Sequence, residues 1–219
     1  MFITFEGPDG SGKSTIIKKL YEELVKEGYN ILLTREPGGT PISEKIRDII
    51  LDNNNTNLDY RTEALLYAAS RRQHLVEKIW PALKRGQIVL CDRYLDSSLA
   101  YQGGARKLGI KNILDINLFA TEKTYPDLTI FFDVSPEVGL SRLSHDKKRI
   151  ADRLDNETSN FHDSVYKTFL EVCDMYPERI IKIDASKSID EVYNEAYTII
   201  KKKLDELHWL FKKLPRNTL

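Results

Sequence analysis

Gly7-Pro8-Asp9-Gly10-Ser11-Gly12-Lys13-Ser14 fits the pattern G-x-x-x-x-G-K-[ST], with Thr15 next. The apolar run Phe2-Ile3-Thr4-Phe5 precedes it, and a helical pattern begins at Lys13, the context this motif requires. Glycines let the backbone wrap phosphates closely, with successive N–H groups pointing inward. The helix start adds roughly half a positive charge. In that cradle Lys13 reaches the β- and γ-phosphates of a nucleoside triphosphate, and Ser14 offers its hydroxyl to Mg²⁺. A carboxylate at a neighbouring strand end should help hold the metal. Asp92, closing Ile88-Val89-Leu90-Cys91, is preferred to Asp133 because Arg93 follows it directly. No Asn-Lys-x-Asp occurs, which argues against a guanine-nucleotide switch.

These groups need a scaffold. Short apolar runs at Phe2–Phe5, Asn30–Thr34, Ile88–Cys91, Leu128–Val134 and Ile180–Ile183 read as five strands. Helical patterns cover Lys13–Glu27, about Ser43–Leu51, Tyr60–Lys84 and about Ile189–Leu207. Strands separated by helices imply crossovers and a parallel sheet with both faces covered. Ligands then bind outside the carboxyl ends of the strands. Arg35 and Arg93 lie at two of those ends; Arg47, Arg71 and Arg72 are on helices nearby. Guanidinium groups grip phosphate bidentately. Residues 143–155 break the helical pattern and read as a mobile flap carrying Arg149 and Arg153. The tail, residues 208–219, reads as docking on the body or contacting a partner.

The chain has 219 residues, 41% apolar and 30% charged, with 33 basic and 33 acidic side chains. The length suits one α/β domain spanning residues 1–219, with a core that needs no disulfide or metal. Zero formal net charge argues against disorder and against coating nucleic acid or an acidic membrane. Cys91 and Cys173 form neither a disulfide framework nor a zinc site. No signal peptide or run of roughly 20 apolar residues is visible, so the expectation is a soluble cytoplasmic protein.

Four stretches together resemble bacterial thymidylate kinases over nearly the whole chain. They are residues 5–15, Thr34-Arg35-Glu36-Pro37-Gly38-Gly39-Thr40, residues 62–71, and residues 92–104 beginning Asp92-Arg93-Tyr94. The resemblance implies a P-loop nucleoside-monophosphate-kinase-like α/β fold with a short lid. It implies transfer of the γ-phosphoryl of MgATP to dTMP, in the route to dTTP, by a homodimer. By the same resemblance, Arg35, Arg47 and Arg93 hold the dTMP phosphate, and Tyr67 stacks on thymine. Arg71 and Gln102 bond the base edge beside Ser97 and Tyr101, and Asp9 lies near the sugar and acceptor phosphate. Some members carry an arginine inside the loop where this chain has Gly10; others put catalytic arginines in the lid, as Arg149 and Arg153 would be here. Two rivals predict otherwise. A deoxynucleoside kinase needs a carboxylate base, for which Glu36 is placed, and a regulatory nucleotide-binding module turns nothing over.

Overall fold

The computed structural model describes residues 1–145 and 151–213; of residues 145 and 207–213 only the backbone element is described. Strands β1 (Phe2–Glu6), β2 (Ile31–Arg35), β3 (Ile88–Asp92), β4 (Leu128–Asp133) and β5 (Ile180–Asp184) form one sheet in the order β2-β3-β1-β4-β5. Every pairing is parallel. Alternate residues feed two separate cores, because strand side chains point to opposite faces. Phe2, Val89, Cys91 and Phe131 enter one cluster; Ile3, Phe5, Leu90, Ile130 and Phe132 enter the other.

The second cluster is closed by α1 (Lys13–Lys26) and α9 (Ile189–Lys213), with Ile16, Leu20, Ala196 and Ile200 inward. The other face carries α3 (Tyr60–His74), α6 (Ile110–Thr121) and α8 (Ser159–Met175). Caps explain where these helices begin. Asp59 accepts from the N–H groups of Arg61 and Thr62, both at 3.0 Å, and Thr158 accepts from Phe161 N–H. In α2 (Pro41–Leu51), Thr40 caps and Pro41 takes the first turn, where its missing N–H costs nothing.

The helical pattern Tyr60–Lys84 is not one uniform helix. After α3 the chain widens into a π turn, Leu75–Ile79, then resumes as α4 (Trp80–Lys84). Pro81 supplies the reason: its ring crowds the carbonyl four residues back and it donates no hydrogen bond, so Trp80 N–H reaches Leu75 instead. The flap expectation also changes. Residues 143–145 complete α7 (Pro136–His145), while 151–157 lie against α2. Arg153 N–H donates to Leu51 O at 3.2 Å, and Asn53 Nδ2 to Ala151 O at 2.9 Å. Arg149 lies outside the described residues, as do tail residues 214–219. The last helix extends through Lys213, beyond the expected Leu207.

After α5 (Leu95–Ser98) a second π turn, Leu99–Ala105, packs closely on α8. A Cβ on Gly104 would sit 1.9 Å from Thr168 Oγ1. Gly104→Ala should therefore lower the unfolding free energy by about 1–3 kcal/mol. The urea midpoint should fall accordingly, and Thr168→Ala should restore part of the loss. An unchanged midpoint would mean that this contact relaxes freely.

Candidate active site

β1 lies between β3 and β4, so the loop that follows it opens at the carboxyl edge of the sheet. A cavity of about 530 Å³ begins there, a volume suited to small ligands. Asp9, Gly10, Ser11, Gly12, Lys13, Ser14 and Thr15 line one end. Arg35, Arg47, Tyr67, Arg71, Arg93, Ser97, Tyr101 and Gln102 line the rest. The residues expected for donor and acceptor thus share one space.

Gly12 has φ +85° and forms the left-handed step into α1. Lys13 Nζ donates to Gly7 O at 3.0 Å, Pro8 O at 2.8 Å and Ser11 Oγ at 3.1 Å. Burial, then the nearby Arg93 charge, pushes Lys13 down to about 8, against the pull of Asp92, Asp9 and Glu6. Gly10 admits no side chain: its Cβ would lie 2.0 Å from the carbonyl oxygen of Gly139 in α7. An arginine at this position would require the loop and α7 to separate.

The two strand-end aspartates differ in their contacts. Ser14 Oγ donates to Asp92 Oδ2 at 2.9 Å, whereas Asp133 accepts from Tyr166 OH at 2.8 Å. Oxygen donors of this kind suit a hard cation that takes most of its ligands from phosphate and water. Among the described residues no group of three or more His, Cys, Asp or Glu side chains could hold a metal.

Arg93 is built into the wall. Its backbone has φ +68°, a left-handed conformation costing about 1–3 kcal/mol in a non-glycine residue. Its guanidinium donates to Gly7 O at 3.0 Å, Ser97 Oγ at 3.1 Å and Asp9 Oδ1 at 2.5 Å. Asp9 Oδ2 accepts from Tyr101 OH at 2.6 Å. Glu6, at the end of β1, holds the turn from below. It accepts from Tyr94 N–H at 2.7 Å, Ser97 N–H at 3.3 Å and Ser97 Oγ at 2.5 Å. Burial, then Asp96, raises the Glu6 carboxyl to about 7 although Arg93 opposes the shift.

At the end of the cavity expected to take the acceptor, Arg35 makes two bonds to Glu44, at 2.7 and 3.1 Å. The Glu44 carboxyl is held down to about 2, chiefly by that contact. Arg47 donates to Pro37 O at 2.9 Å. Arg71 is fully buried, with its Nε on Glu36 at 2.7 Å, Nη1 on Ser98 and Asn117, and Nη2 on Tyr94 O at 2.9 Å. One of its five N–H donors is left over. Tyr67 stands half-buried in the cavity wall, its hydroxyl pushed up by burial and then by Glu63. Gln102 is buried and donates to Glu63 Oε1 at 2.9 Å.

Arg153 departs from expectation. Its guanidinium donates to Ile50 O at 2.9 Å and to Glu63, and none of its partners belongs to the phosphate loop. Its side chain is 9% exposed, because Glu63, buried beneath it, needs the cation. In this conformation it ties the end of the lid to α2 and α3. Sequence reasoning missed two contributors. Arg142 lines the cavity beside the loop and donates to Ala185 O at 3.0 Å and Ser186 O at 3.4 Å; nothing in the sequence marks it. Glu63 carries a signal in hindsight, since Tyr67 and Arg71 follow at helical spacings of four and eight on the same face.

The family model described as thymidylate kinase matches residues 5–196. The thymidylate kinase of Geobacillus sp. (strain WCH70) is 57% identical over 192 residues, covering 88% of this chain and 91% of that protein. That of Enterococcus faecalis is 53% identical, covering 94% and 98%. The crystal structure of thymidylate kinase from Ehrlichia chaffeensis superposes with a TM-score of 0.74 at 34% identity, covering 92% of this chain and 98% of that one. A phosphate loop, a strand-end aspartate and facing arginines in one cavity, with relatives matched over almost their full length, make this chain a member of the thymidylate kinase family of nucleoside monophosphate kinases.

Proposed function

We propose that the chain transfers the γ-phosphoryl group of ATP to the phosphate of dTMP, giving dTDP and ADP. The observation that carries this reading is the opposition, across one cavity, of a phosphate loop and the arginines Arg35, Arg47 and Arg93. Lys13 and the loop N–H groups hold the β- and γ-phosphates. Ser14 and Asp92 are the residues that would hold Mg²⁺, whose charge offsets that of the phosphates. Arg35, Arg47 and Arg93 grip the acceptor phosphate, Tyr67 stacks on the base, and Asp9 keeps Arg93 aimed.

An oxygen of the dTMP phosphate attacks the γ-phosphorus, and the bond to the β–γ bridging oxygen breaks as ADP leaves. The acceptor phosphate has a second pKa of about 6, so it is mostly dianionic at neutral pH and needs no base. The residues fit a base-free reaction. Glu36, the base that a deoxynucleoside kinase would use, is 4% exposed and has both oxygens engaged, by Arg71 and by His74 at 2.9 Å. Catalysis then rests on alignment and charge neutralisation by Lys13, Arg93 and, from the lid, Arg149. Arg153 serves as the lid's anchor in this reading.

No helix among the described residues is long and apolar enough to cross a membrane, and a cytoplasmic site of action is part of the proposal. So is a homodimer: Leu65 on α3 is 56% exposed and Phe119 on α6 is 89% exposed, side chains that a second copy would cover.

Three measurements test this. In a coupled assay of ADP release, dTMP should be phosphorylated and thymidine should not; reaction with thymidine alone would overturn the proposal. The Lys13 ammonium is charged below about 8 and neutral above it, so the KM for MgATP should climb with pH above that value. The climb should approach roughly tenfold per pH unit, and a flat KM to pH 9.5 would remove Lys13 from donor binding. Light scattering should give twice the 25.3 kDa chain mass, and the single-chain mass would dismiss the dimer.

A further inference from the structure

We propose, building on the acceptor reading above, that Glu63 is a positioning residue that sets base specificity by fixing the polarity of the Gln102 side-chain amide. Glu63 is fully buried in α3 and is surrounded by donors. Its Oε1 accepts from Gln102 Nε2 at 2.9 Å and from Arg106 Nε at 3.3 Å. Its Oε2 accepts from Arg106 Nη2 at 3.2 Å and from Arg153 Nη2. An ionised carboxylate only accepts, so the Gln102 amide has one favourable orientation, with Nε2 toward Glu63. The other amide atom, Oε1, has no partner among the described residues, and Gln102 lines the cavity. The acceptor pocket is thereby offered a hydrogen-bond acceptor.

Arg71 supplies the complementary group. Four of its donors are bound to Glu36, Ser98, Asn117 and Tyr94 O, and the remaining N–H sits on a residue that also lines the cavity. One acceptor and one donor lining the same cavity match a pyrimidine with an N3–H donor and a 4-oxo acceptor. A 4-amino pyrimidine presents the reverse, an N3 acceptor and an amino donor, and opposes both groups. A site built to bond one polar pattern rejects a base that leaves its buried groups unpaired, by much more than a missing methyl would.

Glu63→Gln tests the amide argument atom by atom. The new side chain must place its own NH₂ on one side. The Oε2 side faces two guanidinium N–H donors, from Arg106 and Arg153, whereas the Oε1 side keeps only Arg106 Nε–H once Gln102 turns, so the oxygen stays at the Oε2 side. The NH₂ then replaces Oε1 and meets Gln102, which turns to accept and presents Nε2 to the cavity.

The experiment measures kcat/KM for dTMP and dCMP in wild type, Glu63→Gln and Glu63→Asp. Wild type should favour dTMP; if it does not phosphorylate dTMP at all, the functional reading fails before this one is tested. In Glu63→Gln the dTMP:dCMP ratio should drop by roughly tenfold or more, through loss on dTMP and gain on dCMP. Glu63→Asp keeps an acceptor-only group and should keep the wild-type ratio even if both rates fall. Parallel loss on both substrates in Glu63→Gln, with the ratio unchanged, would show a packing role only and overturn the proposal. If Glu63→Gln does not fold, NMR of the Gln102 side-chain amide in wild type decides. Its protons should stay protected from solvent exchange with and without dTMP, and a change of hydrogen-bond partner on adding dTMP would overturn the proposal.

Discussion

Cations that are to receive two highly charged nucleotides must be held in a partly dry cavity before either arrives. An unpaired guanidinium buried there would cost several kcal/mol in desolvation. The chain answers by pairing each of these buried arginines with a carboxylate. Arg93 has Asp9, Arg71 has Glu36, and Arg106 and Arg153 share Glu63, with Glu157 adding to Arg106. Equal numbers of acidic and basic residues overall therefore coexist with a concentrated binding charge. Phosphates entering the cavity meet guanidinium groups already oriented, which lessens the reorganisation left for the reaction itself.

The same pairing fixes the backbone. Arg93 occupies a left-handed conformation immediately after β3, and its neighbours over-determine it: Glu6 bonds the N–H groups of Tyr94 and Ser97, and Asp9 takes the guanidinium. Glu6 belongs to β1 and Arg93 follows β3, and these strands are adjacent in the sheet. Parallel register therefore brings the end of the phosphate loop and the strained turn together. Gly139 of α7 closes the other side of the loop against Gly10, leaving no space for a side chain at position 10.

The part of the cavity lined by Tyr67, Tyr101 and Gln102 is shaped by two widened helical turns. The π turn Leu99–Ala105 carries Tyr101 and Gln102 and rests on α8 through Gly104. The π turn Leu75–Ile79 directly follows the helix bearing Glu63, Tyr67 and Arg71. Pro81 accounts for the second. The first departs from simple helical periodicity, so a pattern based on 3.6 residues per turn does not foresee which side chains it turns inward.

Much was legible in the residues alone. Five short apolar runs separated by helical patterns determined a parallel sheet, since crossovers must return the chain to the same edge, and G-x-x-x-x-G-K-S after the first run determined a phosphate cradle at that edge. Asp92 was distinguishable from Asp133 by its neighbour Arg93, and in the fold it is Asp92 that accepts from Ser14. Partnerships across the chain were not legible, because they depend on which elements the sheet and helices bring side by side. Sequence spacing says nothing of a bond between Glu63 and Gln102, Arg106 or Arg153, residues roughly 40 to 90 positions away. Nor does it say that Arg153 faces a carboxylate instead of phosphates, or that Arg142 reaches the cavity. Local chemistry and periodicity are written along the chain, whereas the pairing of buried charges is decided only when folding removes water and each ion must find its counterpart.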